Sequence, residues 1–130
     1  MLPWTSLVTA LTMLLYLVIT INVGRARAKY KVSPPQMTGD PNFERVLRVQ
    51  QNTLEQTVFF LPVLWLFSFY VNQLWGAGIG AVWLIGRILY ALGYYQAASK
   101  RMVGFGISSI SSTLLLIGSL IGIILFLIRS

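Results

Sequence analysis

Four apolar stretches, each about as long as a bilayer is thick, leave this chain little freedom in what it can fold into. They run roughly over residues 3–23, 57–75, 77–97 and 107–128. A helix needs about 20 mostly apolar residues to cross the hydrocarbon core of a membrane, and little of the 130-residue chain lies outside these runs. Only 10% of the residues are charged, against about 25% in a typical soluble domain. A soluble bundle of buried helices is the competing reading, but it would lack the polar surface to cover itself. The expected fold is all-α: a single domain, residues 1–130, built as an integral-membrane four-helix bundle.

The first span carries no charged side chain. Ala26-Arg27-Ala28 mimics a leader cleavage site, yet no Lys or Arg precedes the apolar run, and the run exceeds the 7–15 residues of a leader core. It reads as a permanent helix. A basic connector, residues 24–42, carries Arg25, Arg27, Lys29 and Lys31 and then Ser33-Pro34-Pro35, which favours an extended path. Asp40-Pro41 reads as a helix start, because Asp caps free amides and proline suits the first helical position. The second helix begins in polar sequence and turns apolar from Thr57; Pro62 is expected to kink it and free the Val58 carbonyl. Gly76, Gly78 and Gly80 read as a tight turn, and Lys100-Arg101 through Gly104 and Gly106 as the last connector. No regulatory tail is expected after span four.

Eight of the ten basic residues fall on one side: Arg25, Arg27, Lys29, Lys31, Arg45, Arg48, Lys100 and Arg101. By the positive-inside rule that side is cytoplasmic, with both termini on the other side and Trp4 and Trp75 as interfacial anchors there. The short loops lean towards a bacterial inner membrane rather than the endoplasmic reticulum.

There is no Cys and no His. Disulfides, thiolate or imidazole metal ligation and catalysis by a protein thiol or imidazole are excluded, so any thiol chemistry must use a thiol that a substrate brings. No metal and no nucleic-acid partner is expected.

The informative residues are polar ones in apolar surroundings. Arg48, Asn52 and Glu55 are spaced i, i+4, i+7 and share one helix face. Arg87, Tyr90, Tyr94 and Arg101 are spaced 0, +3, +7, +14, which on one continuous helix places them within about 60° of each other. A bare arginine at mid-bilayer costs roughly 2.5–3.5 kcal/mol even on a lenient scale. Arg87 should therefore face another helix or a wet cavity, and Glu55 is its natural partner in a structural intramembrane ion pair. Blander readings stand beside this one. The ion pair and tyrosines lock two helices together, Arg101 snorkels, and Arg25, Lys29 and Lys31 set topology and touch lipid headgroups. Gly118-x-x-x-Gly122 and the serines of span four report close helix packing. As a group, Arg48, Asn52, Glu55, Tyr90, Tyr94 and Arg101 offer guanidinium groups for carboxylates, a carboxylate for an amine, and hydroxyl donors. Glutathione, with two carboxylates, an amine and a thiol, has the matching inventory.

The run Glu44-Arg45-Val46-Leu47-Arg48-Val49-Gln50-Gln51-Asn52-Thr53-Leu54-Glu55 resembles the signature of the membrane-associated eicosanoid and glutathione metabolism (MAPEG) superfamily. So does Gly86-Arg87-Ile88-Leu89-Tyr90-Ala91-Leu92-Gly93-Tyr94-Tyr95 followed by Ser99-Lys100-Arg101, and so does the connector Ala26-Arg27 to Tyr30-Lys31-Val32-Ser33-Pro34-Pro35. The wording is most similar to the microsomal glutathione transferase and leukotriene C synthase branch. The resemblance implies a homotrimer that binds glutathione at the subunit interface near the cytoplasmic surface. It implies that Arg27, Arg48, Gln50, Asn52, Glu55, Tyr90 and Tyr94 hold glutathione and that Arg101 stabilises its thiolate. The chain departs from leukotriene C synthase at Ala28, at Gln56, and in the position of Pro62. Those departures bear on leukotriene chemistry and leave the glutathione positions untouched.

The reading is thus a microsomal-type glutathione S-transferase, with glutathione as co-substrate and a lipophilic electrophile, or in peroxidase chemistry a lipid hydroperoxide, as the second substrate delivered from membrane lipid. The alternatives are a non-catalytic lipid-binding membrane partner of the same superfamily, and a small four-helix exporter with Glu55 as its proton-coupled carboxylate.

Overall fold

The computed structural model describes residues 1–130 and is built from four long helices. They are α1 (Pro3–Tyr30), α2 (Pro41–Tyr70), α3 (Gln73–Gln96) and α4 (Met102–Arg129), with a 3-10 turn, Ala98–Arg101, leading into α4. All four are long and apolar enough to cross a membrane.

The helix ends differ from the sequence expectation in an instructive way. α1 does not stop near Val23 but continues through the basic stretch to Tyr30. Arg, Lys and Ala are good helix formers, so the change to polar sequence marks where the helix leaves hydrocarbon, not where it ends. It ends at Lys31, which takes a left-handed conformation (φ 57°), with the prolines of Pro34-Pro35 just ahead. The start of α2 is as read: Asp40 accepts the Asn42 N–H at 2.8 Å, with Pro41 in the first turn. α2 continues through Pro62 as one helix and ends at Tyr70, short of Trp75. The turn into α3 is Val71–Asn72, not the glycine cluster. Asn72 Oδ1 accepts the N–H groups of Leu74 and Trp75 at 2.8 and 3.0 Å and so caps α3.

Gly76, Gly80 and Gly104 therefore lie inside helices, where they serve close approach. A Cβ at Gly80 would sit 2.9 Å from the Val8 side chain, and one at Gly86 would sit 2.8 Å from the Ser108 backbone nitrogen. A Cβ at Gly104 would overlap the backbone of Tyr90 and of Gly86. α3 and α4 thus cross almost backbone to backbone at the basic end of the bundle. The core lies deeper, around Phe60, Leu64, Trp83 and Leu115, with the Phe60 and Trp83 rings stacked at 3.8 Å. Hydroxyls tie the helices together: Thr5 to Ser68 at 2.7 Å, and Trp65 Nε1 donating to Thr9 at 3.0 Å. The outer faces, with Leu7, Leu11, Leu14 and Leu17 on α1 and Ile110, Leu114, Ile117 and Ile121 on α4, are exposed. Apolar faces of this extent are unsuited to water and suited to lipid or a second copy of the chain.

Candidate functional site

The Gly86–Gly104 crossing decides where the site forms. α3 ends at Gln96, Ala97 is extended, and the 3-10 turn folds back over the end of α3. Gly93 makes room for this, since a Cβ there would run into the Lys100 carbonyl. Arg101 is therefore not a fourth residue on a continuous helix face, as its spacing implied. It reaches the same side by a turn, and its Nη1 donates to the Ala98 carbonyl at 2.6 Å.

The result is one open polar cavity of about 230 Å³, lined by Arg48, Gln51, Asn52 and Glu55 from α2, Tyr90 and Tyr94 from α3, and Arg101 from the 3-10 turn. The Tyr90 and Tyr94 rings meet edge to face at 5.6 Å, and the Arg101 guanidinium lies 5.3 Å from the Tyr94 ring centre. All six residues grouped from the sequence line this one cavity. Gln51 was not singled out, although it sits three residues after Arg48 and four before Glu55, on the same face.

Arg87 lies behind the cavity wall, fully buried. The sequence reading paired it with Glu55, and the structure corrects that: its Nη2 donates to Asn52 Oδ1 and Thr53 Oγ1, both at 2.8 Å. Its guanidinium stacks on the Tyr90 ring at 4.0 Å. Glu55 sits one turn farther along α2 with an exposed side chain, so the inward-facing arginine meets neutral oxygens first. Nε and Nη1 of Arg87 have no partner within the chain.

Two candidate residues lie outside the cavity. Arg27 donates to the Val32 and Gln36 carbonyls at 3.3 and 2.7 Å and stacks 5.0 Å over Phe43, closing the connector after α1. Gln50 turns towards α1 and donates to Thr20 Oγ1 at 3.3 Å.

Chemically, the cavity presents two guanidinium groups, one carboxylate, two phenols and two amides at one end of an apolar bundle. Such a set of groups can offer partners to a small zwitterionic anion. With Cys and His absent, the protein offers no thiol or imidazole of its own there. The model for the MAPEG family matches residues 5–121. The chain belongs to the MAPEG family. As a MAPEG protein with four span-length apolar helices, it is an integral membrane protein. This MAPEG chain is 64% identical over 121 residues to an uncharacterised protein of Synechocystis sp., covering 93% of this chain and 88% of that one. It is 48% identical over 101 residues to human microsomal glutathione S-transferase 2, covering 77% and 69%. To guinea-pig (Cavia porcellus) leukotriene C4 synthase it is 38% identical over 117 residues, covering 90% and 78%.

Proposed function

We propose that this protein is a membrane glutathione transferase that ionises the glutathione thiol and directs it at a lipophilic electrophile. The observation that carries the reading is the convergence of Arg48, Glu55, Tyr94 and Arg101 on a single cavity. Arg48 offers a bidentate partner for a carboxylate, and Glu55 offers one for the α-amine. Arg101, tethered to the Ala98 carbonyl beside Tyr94, supplies the fixed cation for the sulfur.

A free thiol titrates near about 8.5, so most of it is protonated at neutral pH. A fixed cation beside the sulfur favours the thiolate, the reactive form. Arginine suits this task because it stays charged when partly desolvated. The thiol proton passes to solvent, the thiolate forms a bond to the electrophilic carbon, and the leaving group departs with the electron pair of its broken bond. The same thiolate serves a hydroperoxide. Two glutathione molecules are then oxidised to the disulfide while the O–O bond is reduced to an alcohol and water.

Arg27 and Gln50 belong to this account as residues of a neighbouring copy. Within one chain both lie off the cavity, and a homotrimer with the site between subunits brings such residues to glutathione from the other side. The sidedness we propose is cytoplasmic, on the distribution of basic residues. The test is conjugation of glutathione to a chlorodinitrobenzene by the purified protein. Activity that saturates with glutathione and is lost in Arg101→Ala supports the reading; a variant that turns over like wild type removes Arg101 from it. Mixed assembly tests the shared site. Arg27→Ala and Arg101→Ala chains, each impaired alone, recover activity when co-assembled if their residues meet at one site, and recover none if each chain works alone.

A further inference from the structure

A second groove lies at the same end of the bundle, on α1 and away from the cavity described above. It has a volume of about 380 Å³ and is lined by Asn22, Arg25, Ala26, Lys29, Tyr30, Val46 and Tyr95. Arg25 and Lys29 are one helical turn apart and face the same way, both exposed. Asn22 donates to the Tyr95 hydroxyl at 3.2 Å and forms the deep end of the groove. Lys29 Nζ lies 5.3 Å from the Tyr30 ring centre, which leaves its three donors free.

These two charges have no counter-ion. The chain contains three carboxylates, and each is placed elsewhere: Asp40 caps α2, Glu44 accepts the Gly39 N–H, and Glu55 lines the other cavity. The nearest charges in sequence are further cations, Arg27 and Lys31. The groove is thus built for an anion that the chain does not contain.

Its depth says which one. Asn22 and Tyr95 lie nineteen residues past Pro3 and twenty-two past Gln73, the starts of their helices. At about 1.5 Å per residue, both points are roughly 30 Å from the opposite membrane face, the thickness of the hydrocarbon core. Arg25, Lys29 and Tyr30 therefore stand at the level of lipid headgroups, with Ala26, Val46 and the Lys29 stem as apolar surface beside them. We propose that this groove is a binding site for the phosphate-bearing headgroup of an anionic lipid, with Arg25 and Lys29 on the phosphate and Tyr30 and Asn22 as hydrogen-bond donors. The site is separate from the glutathione reading and does not depend on it.

The experiment is thermal unfolding of the purified intact protein in detergent, with added phosphatidylglycerol or phosphatidylcholine, for wild type, Arg25→Gln/Lys29→Gln and Arg25→Lys/Lys29→Arg. Wild type and the charge-conserving variant should show a higher melting temperature with phosphatidylglycerol, weakening as salt is raised. The neutral variant should lose that difference and keep the wild-type melting temperature in detergent without lipid. Equal shifts with both lipids, or an unchanged preference in the neutral variant, overturn the proposal. Glycerol phosphate or inorganic phosphate reproducing the full shift without lipid overturns the membrane source. A neutral variant that changes oligomeric state marks the groove as a contact between copies and also overturns it.

Discussion

Arg87 Nη2 lies 2.8 Å from Asn52 Oδ1, so a fully buried cation holds a side chain of the cavity wall from behind. The same nitrogen bonds Thr53, and the guanidinium plane covers Tyr90. One residue thereby fixes contacts on both helices that form the cavity. Arg87→Lys keeps the charge but lacks the planar fork. It should raise the glutathione KM by roughly tenfold, about 1.4 kcal/mol, with kcat changed much less. Steady-state kinetics separates the two. An unchanged KM would show that Asn52 and Tyr90 hold their places without the fork.

Arg101→Ala removes the cation that the proposed function sets beside the sulfur. Loss of one preorganised electrostatic group costs about 10²–10³ in kcat. The pH dependence gives the sign. A cation lowers the thiol pKa, so its loss raises it; the deficit is largest well below about pH 8.5 and shrinks above it, where thiolate forms unaided. Rate profiles for both proteins check this, and a deficit independent of pH would contradict it.

Glu55→Gln removes the only carboxylate of the cavity. A hydrogen bond to a charged group contributes about 1.5–3 kcal/mol, so wild type should prefer glutathione to its analogue lacking the α-amine by roughly ten- to a hundredfold. The variant should lose that preference. Competition by the two ligands measures it, and an undiminished preference in the variant would assign the amine to another partner.

Gly104→Leu places a side chain against the Tyr90 backbone. Overpacking costs about 1–3 kcal/mol, and here it also pushes the 3-10 turn away from α3. Melting temperature and glutathione binding should fall together. Gly106→Ala, whose added Cβ meets nothing within the chain, should change neither. Identical behaviour of the two variants would contradict the crossing.

The spacing of Arg48, Asn52 and Glu55 was legible because one helix carries all three, and helical periodicity fixes their shared face. Arg101 was legible as a member of the group but not in how it arrives there, since periodicity says nothing across the break at Ala97. The helix ends were read from polarity, which fails where Arg25 to Lys29 continue a helix beyond hydrocarbon. Glycines 76, 78 and 80 read as a turn by a rule for water-soluble chains; in spanning helices glycine is common, and here Gly76 and Gly80 serve packing. The Arg87 partner was mistaken because charge pairing outranked neutral oxygens. Thr53, adjacent to Asn52, was the signal available. Arg27 and Gln50 lie off the cavity, turned to the connector carbonyls and to Thr20, a placement that helical spacing alone does not give.

The most direct measurement is ultraviolet absorbance of the glutathione thiolate on titrating the purified protein with glutathione at neutral pH. The account predicts a saturable thiolate band with wild type that is strongly reduced in Arg101→Ala under conditions where both bind glutathione. A wild-type complex whose glutathione stays protonated, or a band unaffected by the loss of Arg101, would contradict it.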